Sequence, residues 1–247
     1  MVSRPELKAR LNDYFRFSRQ ELSGLAAAVI VLGLIFSFRD WGEEVFDLAI
    51  GLQHLVTIII IIIFSLLFRL SCQKIYALSE GYKAEFKVWL IGLGISFIIV
   101  LLSLGRVPAA LVGGMVVSFM IKQRLGEFRY GFSYWNNAMI SYWGILGNLI
   151  AAILFALGAY FAPESYFFTK GILFNLVMAT SILIPLPQLE GLQIFFGSRK
   201  LYGIALLSVI LAWVLLWLLA GTKFGLITAI VIGSLTGIIY LLIGSEK

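Results

Sequence analysis

The chain of 247 residues carries one histidine, His54, and one cysteine, Cys72. A disulfide within the chain is therefore excluded. So is a structural zinc site of Cys and His, which needs four such ligands. Charge is equally scarce: 13% of residues are charged and 61% hydrophobic, about half the charged share of a soluble domain. The charges are missing in blocks. No Asp, Glu, Lys or Arg occurs in 48–68, 88–105, 107–121, 130–163, 171–189, 201–222 or 224–245. Crossing the hydrocarbon core takes about 20 apolar residues, so most of these runs can span. The expectation is an all-α polytopic membrane protein, a bundle of about seven or eight transmembrane helices in the lipid bilayer.

What charge there is has a pattern. The net charge is +6, which in this setting implies loops facing an anionic leaflet rather than a nucleic-acid partner. Residues 1–21 form a basic segment, with Leu7, Leu11, Tyr14, Phe15 and Leu22 at near-helical spacing, as for a short helix lying in the interface. Residues 22–247 then read as a single transmembrane domain. Its first span is Leu22–Phe38; the weakest candidate is 107–121, which contains Pro108 and Gly113-Gly114 and is short enough to be re-entrant. If all eight runs cross, Arg39, Arg106, Lys170 and Lys223 share one side and the other 15 of the 19 basic residues share the opposite side. That asymmetry predicts a cell-membrane protein with both termini cytoplasmic. Gly24/Ala28, Gly144/Asn148 and Gly233/Gly237 have the spacing of close helix packing.

The residue inventory also limits catalysis. Intramembrane proteolysis by an aspartyl pair needs two carboxylates within the bilayer, and Asp13, Asp40 and Asp47 all lie outside the spans. The stretch Gly233-Ser234-Leu235-Thr236-Gly237 fits no serine-protease pattern, and His54 is expected to pack in the bundle or meet a backbone carbonyl. A zinc device of H-E-x-x-H type needs two histidines one helical turn apart. One histidine forbids it, and Cys72, Glu80 and Gln73 do not replace it.

Three segments nevertheless stand in a suggestive order. Asn175 through Gly191 closes a span with Ile-Pro185-Leu-Pro187-Gln-Leu189-Glu190-Gly191. Gly144-Ile-Leu-Gly-Asn148 lies upstream, and Gly81-Tyr-Lys-Ala84-Glu85-Phe86 further upstream. Together they resemble the site-2 protease family of intramembrane zinc metalloproteases, in its archaeal-type branch. Its patterns are N-x-x-P-x-P-x-L-D-G, G-P-L-x-N and Y-G-x-x-A-E-F. Pro185, Pro187, Leu189 and Gly191 match the first, with Glu190 in place of the Asp that ligates zinc and Ile182 at the family's Asn position. Gly144 and Asn148 match the second, with Ile145 in place of Pro. The resemblance implies a site-2-protease-like core over about 45–200, with two additional C-terminal helices at 201–219 and 224–243. It also aligns the zinc motif with Arg69-Leu70-Ser71-Cys72-Gln73, so that Arg69 and Gln73 replace both histidines and Leu70 the catalytic Glu.

Arg69 and Glu190 then fall at the same end of their spans. An ion pair between them would satisfy both groups where the family holds zinc. The expectation is a degenerate, non-catalytic relative without a metal cofactor, a pseudoprotease that binds or regulates transmembrane helices of client proteins. The alternative from another class is a small transporter or channel-like protein. It would need polar residues in the spans, for which His54, Asn136, Asn137, Asn148 and Asn175 are the candidates. Tyr130, Phe132, Tyr134 and Trp135 cluster where an interfacial aromatic belt belongs.

Overall fold

The computed structural model describes residues 4–42, 46–120 and 133–217. Helix α1 (Arg4–Tyr14) buries no residue, in keeping with a segment that lies on a surface. A capping box then starts α2 (Arg19–Ser37): the Glu21 N–H donates to Ser18 Oγ at 3.1 Å, and the Ser18 N–H donates to Glu21 Oε2 at 2.8 Å. The side chain of Asp47 accepts from the Ala49 and Ile50 N–H groups and starts α3 (Leu48–Ser79), whose 32 residues extend about 48 Å. Gly81, at φ +84°, reverses the chain after it. Helices α5 (Tyr134–Phe161), α6 (Tyr166–Leu183), α7 (Glu190–Gly197) and α8 (Arg199–Ala212) follow, and α8 runs into a π turn, Trp213–Trp217.

Five of the described helices are long and apolar enough to cross a membrane: α2, α3, α5, α6, and α8 taken to Leu216. Helix α5 is central and packs against α3, α6 and α7. Its glycines let backbones approach, as expected where lipid removes the hydrophobic drive between helices. A Cβ on Gly147 would sit 3.0 Å from Arg69 Cα, and one on Gly24 would sit 2.9 Å from Val88 Cγ1. The small-residue pairs Gly24/Ala28 and Gly144/Asn148 thus serve packing inside the bundle. Gly233/Gly237, Lys223, the 224–243 helix, Tyr130 and Phe132 lie outside the described residues, as do the basic residues of 122–129.

One expected span is corrected, and the open choice for 107–121 is decided. The uncharged run 88–105 yields only α4 (Leu90–Leu102), whose 13 residues reach about 20 Å and fall short of a crossing. The run 107–121 is not a helix: after Val107–Val112 comes the strand β2 (Gly113–Phe119), antiparallel to β1 (Tyr82–Val88), with Val88 opposite Gly113 and Tyr82 opposite Phe119. The fold is therefore not purely α. The physical signal is period-two alternation in Tyr82-Lys-Ala-Glu-Phe-Lys-Val88, whose Tyr, Ala and Phe are buried while Glu85 and Lys87 are exposed. Pro108 and the Gly113-Gly114 pair break any helix on the partner side.

Because β1 and β2 are antiparallel, α4 and residues 103–112 make one excursion and return to where they began. The Met120 N–H donates to the Gly81 carbonyl at 3.2 Å. An excursion leaves the parity of later spans unchanged, and Arg106 at its tip sits with Arg39 and Lys170 around one cavity. Three of the four basic residues assigned to the minority side are thus at one end of the bundle. Gly113 holds φ +127° with a Cβ position filled by the Lys87 carbonyl. Gly113→Ala is expected to cost about 2–3 kcal/mol of backbone strain, read as a lowered unfolding midpoint in detergent, whereas Gly94→Ala, with open space around it, should leave the midpoint in place.

Candidate functional site

The polar centre is built by α3, α5 and the α6–α7 turn. Helix α3 presents Ser65, Arg69 and Gln73 at intervals of four, hence on one face, and all three are buried. The α6–α7 turn supplies the partner. Helix α6 stops at Leu183 before Pro185, and Pro185 and Pro187 stay exposed while the chain turns through Gln188 at φ +72°. Leu189 re-enters the core at 0% exposure and Glu190 begins α7 inside the bundle. Its carboxylate lies in the first turn of that helix, the favourable end of the dipole. Gly191 packs against the Leu183 carbonyl so closely that a side chain would not fit.

Arg69 Nη2 meets Glu190 Oε1 at 2.5 Å, with both side chains 0% exposed. Gln73 Nε2 donates to the same Oε1 at 2.9 Å and to the Ile140 carbonyl at 3.3 Å. The structure therefore brings three of the four positions that the resemblance aligns with zinc-site residues into one contact. Leu70, the fourth, is fully buried and apolar. Gly144 faces this contact: any Cβ there would overlap Glu190 Oε2 and Gln73 Nε2. Burial pushes the Glu190 carboxyl up from the ordinary carboxylate range, while Arg69 and Gln73 pull it back down.

Other named positions surround the contact in structural roles. Asn175 Nδ2 donates to Ser65 Oγ at 2.9 Å and to the Gly171 carbonyl at 2.8 Å. Asn148 is 1% exposed, one turn beyond Gly144 on α5. Gly81, Ala84 and Phe86 lie in the turn and strand that follow α3, with Ala84 and Phe86 buried and Glu85 exposed. His54 is not part of the site. Its Nδ1 lies 2.8 Å from the Asp40 carbonyl and its ring stacks on Tyr166 at 4.1 Å, fifteen residues and about 22 Å along α3 from Arg69.

A zinc ion does not fit this set of side chains. The three groups that converge are a guanidinium, an amide and one carboxylate. The cation repels a metal, the amide is a weak ligand, and of the one carboxylate Oε1 is already engaged by Arg69 and Gln73. Cys72 is half-buried on α3, and among the described residues no three of His, Cys, Asp and Glu come together as a metal site.

Two polar features were missed by sequence reasoning. Ser141 Oγ donates to Gln193 Oε1 at 2.6 Å, and Gln193 Nε2 donates to the Met115 carbonyl at 3.2 Å, which ties α5, α7 and β2 together beside the site. Lys74 and Glu21 form a second buried pair at 2.8 Å, with Lys74 5% and Glu21 2% exposed. A signal for Glu21 was available: Ser18-Arg-Gln-Glu21 has capping-box spacing.

No family model matches the chain, and no solved structure matches it. A protein of Methanocaldococcus jannaschii named "Putative zinc metalloprotease" is 24% identical over 200 residues, which span 79% of this chain and 94% of the relative. The similarity thus reaches nearly the full length of that protein. It is a distant metalloprotease-like relationship carried by a helical chain with membrane-spanning character.

Proposed function

We propose that this protein is a non-catalytic relative of the site-2-type intramembrane metalloproteases, in which Arg69, Gln73 and Glu190 stand in the place of the metal and its ligands. The observation that carries the reading is the fully buried Arg69–Glu190 contact, to whose carboxylate Gln73 also donates, in a chain distantly similar to a protein named as a metalloprotease. A polar centre of this composition is neutral overall and offers no group positioned to activate water. What remains is a bundle with polar groups in its interior and the β1–β2 sheet beside them. Such a scaffold suits holding a membrane segment of a client protein, or competing for one with an active protease. The Arg69–Glu190 end is inferred to face the cytoplasm, from the distribution of Lys and Arg.

A photo-crosslinking residue at Phe196 tests this reading. Phe196 is 68% exposed on α7, close to the polar centre. Expected products are adducts with intact membrane segments, absent when the crosslinker is placed at Ile98 on α4. Recovery of segments cut at membrane depth would overturn the non-catalytic reading. Equal adducts from both positions would overturn client holding at this face. The transporter reading draws on fewer groups: the Asn175 amide nitrogen is committed to Ser65 and Gly171, and His54 to Asp40 and Tyr166, which leaves Asn148, buried and with neither side-chain polar atom hydrogen-bonded among the described residues.

A further inference from the structure

We propose that the cavity at the opposite end of the bundle binds the phosphate of an anionic membrane lipid between Arg39 and Arg106. The cavity, about 560 Å³, lies between the end of α2, the 103–108 turn and α6. Three cations meet there, and one is already neutralised. Lys170 Nζ lies 2.6 Å from Asp40 Oδ2, and the Tyr166 hydroxyl donates to the same oxygen at 2.6 Å. Asp40 is thereby occupied. Among the described residues neither Arg39 nor Arg106 joins any of the ion pairs formed.

The backbone holds these two arginines together. Gly105 sits at φ +74° with its α-carbon pressed on the neighbouring side chains: a Cβ there would lie 2.5 Å from Arg39 Cγ and 2.8 Å from Phe38 Cδ1. The preceding residue, Leu104, holds φ +50°, a conformation a branched side chain seldom adopts. Four hydrogen bonds fix the turn. The Gly105 N–H donates to the Val100 carbonyl (2.8 Å), the Leu104 N–H to the Leu101 carbonyl (3.1 Å), the Arg106 N–H to the Ser103 carbonyl (3.1 Å) and the Val107 N–H to Ser103 Oγ (3.2 Å). A rigid turn thus places two guanidinium groups, neither in an ion pair among the described residues, at one cavity mouth, where an anion between them would offset their like charge. Planar guanidinium forks match phosphate oxygens bidentately.

The surroundings select the carrier of that phosphate. Below the cationic rim the wall is apolar, formed by Ile35, Phe36, Pro108 and Leu173. Outside it, Leu102 is 81% and Leu104 69% exposed, both on the short excursion that ends at this turn. An amphiphile would lay its chains along these side chains and its headgroup phosphate against the arginines. A free phosphate would use only the rim.

The test uses the full chain in detergent, with lipid retention read by native mass spectrometry. Probes are phosphatidylglycerol, phosphatidylcholine and inorganic phosphate. Arg39→Gln/Arg106→Gln is compared with Lys83→Gln/Lys87→Gln, which removes the same charge from β1. Phosphatidylglycerol should be retained by the wild type and by the β1 variant, and at least about tenfold less by the arginine variant. Equal retention by all three chains overturns the site. Phosphatidylcholine retained as well as phosphatidylglycerol overturns the anionic selectivity. Inorganic phosphate competing as strongly as lipid overturns the membrane source. Because Arg39 and Arg106 are exposed, the melting temperature of the arginine variant should stay close to that of the wild type without lipid. Should it fall, Arg106→Gln alone decides, and undiminished retention by a folded Arg106→Gln chain overturns the site.

Discussion

Arg69→Ala is expected to destabilise the protein by about 3–5 kcal/mol, because it leaves Glu190 as a buried carboxylate without its cation. The Gln73 amide remains at 2.9 Å, yet one neutral donor does not replace a guanidinium. The orphaned carboxyl then takes up a proton, in the direction burial already pushes it. Removing both charges should cost far less than removing one. Arg69→Met/Glu190→Met fills the volume with apolar groups, and such replacements of buried pairs are often neutral or stabilising. Denaturant unfolding in detergent measures both, and the two single variants with the double variant form a cycle whose coupling term is the quantity of interest. A double variant as unstable as the sum of the singles would show that the two side chains do not act as a pair.

Glu21→Ala should be comparably severe, at about 3–5 kcal/mol, again because a buried partner is stranded. Glu21 accepts from the Phe86 N–H at 2.7 Å and the Ser18 N–H at 2.8 Å, and pairs with Lys74 at 2.8 Å. Lys74 also donates to the Arg16 carbonyl at 3.0 Å and lies 4.8 Å from the Phe17 ring centroid. One carboxylate therefore joins the segment before α2, α2 itself, α3 and β1. Loss of the side chain opens the N-cap, the strand edge and the ion pair at once. Glu21→Gln keeps oxygen and amide groups in place and should lose less than the alanine variant. Equal losses would place the stabilisation in the charge paired with Lys74 instead of in packing and hydrogen bonding.

The parts of the fold that were legible in the sequence are those set by long apolar runs. The uncharged stretches before Arg69, around Gly144 and before Pro185 become α3, α5 and α6 because such runs have no stable alternative in lipid. The run 88–105 misled for the same reason, absence of charge being read as a crossing helix, whereas 107–121 was left open between a span and a re-entrant segment on account of Pro108 and Gly113-Gly114, which are poor helix formers. Strand β1 was overlooked because its residues Lys83, Glu85 and Lys87 looked like loop charge, and alternation over seven residues is a weaker signal than an apolar run. At the polar centre, Arg69 and Glu190 were matched through the family resemblance that aligns both with zinc-ligand positions, and their opposite charges at the same end of two spans then suggested a pair. Gln73 could be placed on the same helix face but not given its bond to Glu190, which depends on how far the Pro185–Gln188 turn swings α7 inward. The Lys74–Glu21 pair was hidden because it joins elements 53 residues apart.

The most direct test of the central proposal is zinc content by elemental mass spectrometry, after purification in detergent and exposure to excess zinc. Three chains are compared: the wild type, Arg69→Ala/Glu190→Ala, and Arg69→His/Leu70→Glu/Gln73→His/Glu190→Asp. If Arg69, Gln73 and Glu190 occupy the place of a metal centre, the wild type and the alanine variant bind no stoichiometric zinc. The fourfold variant, with two histidines one turn apart facing a carboxylate, then binds about one ion per chain. Near-stoichiometric zinc in the wild type, lost on Arg69→Ala/Glu190→Ala, would contradict the proposal and return the protein to the enzymes. A folded fourfold variant that stays empty would contradict it as well, by showing that these positions do not surround a metal-sized site.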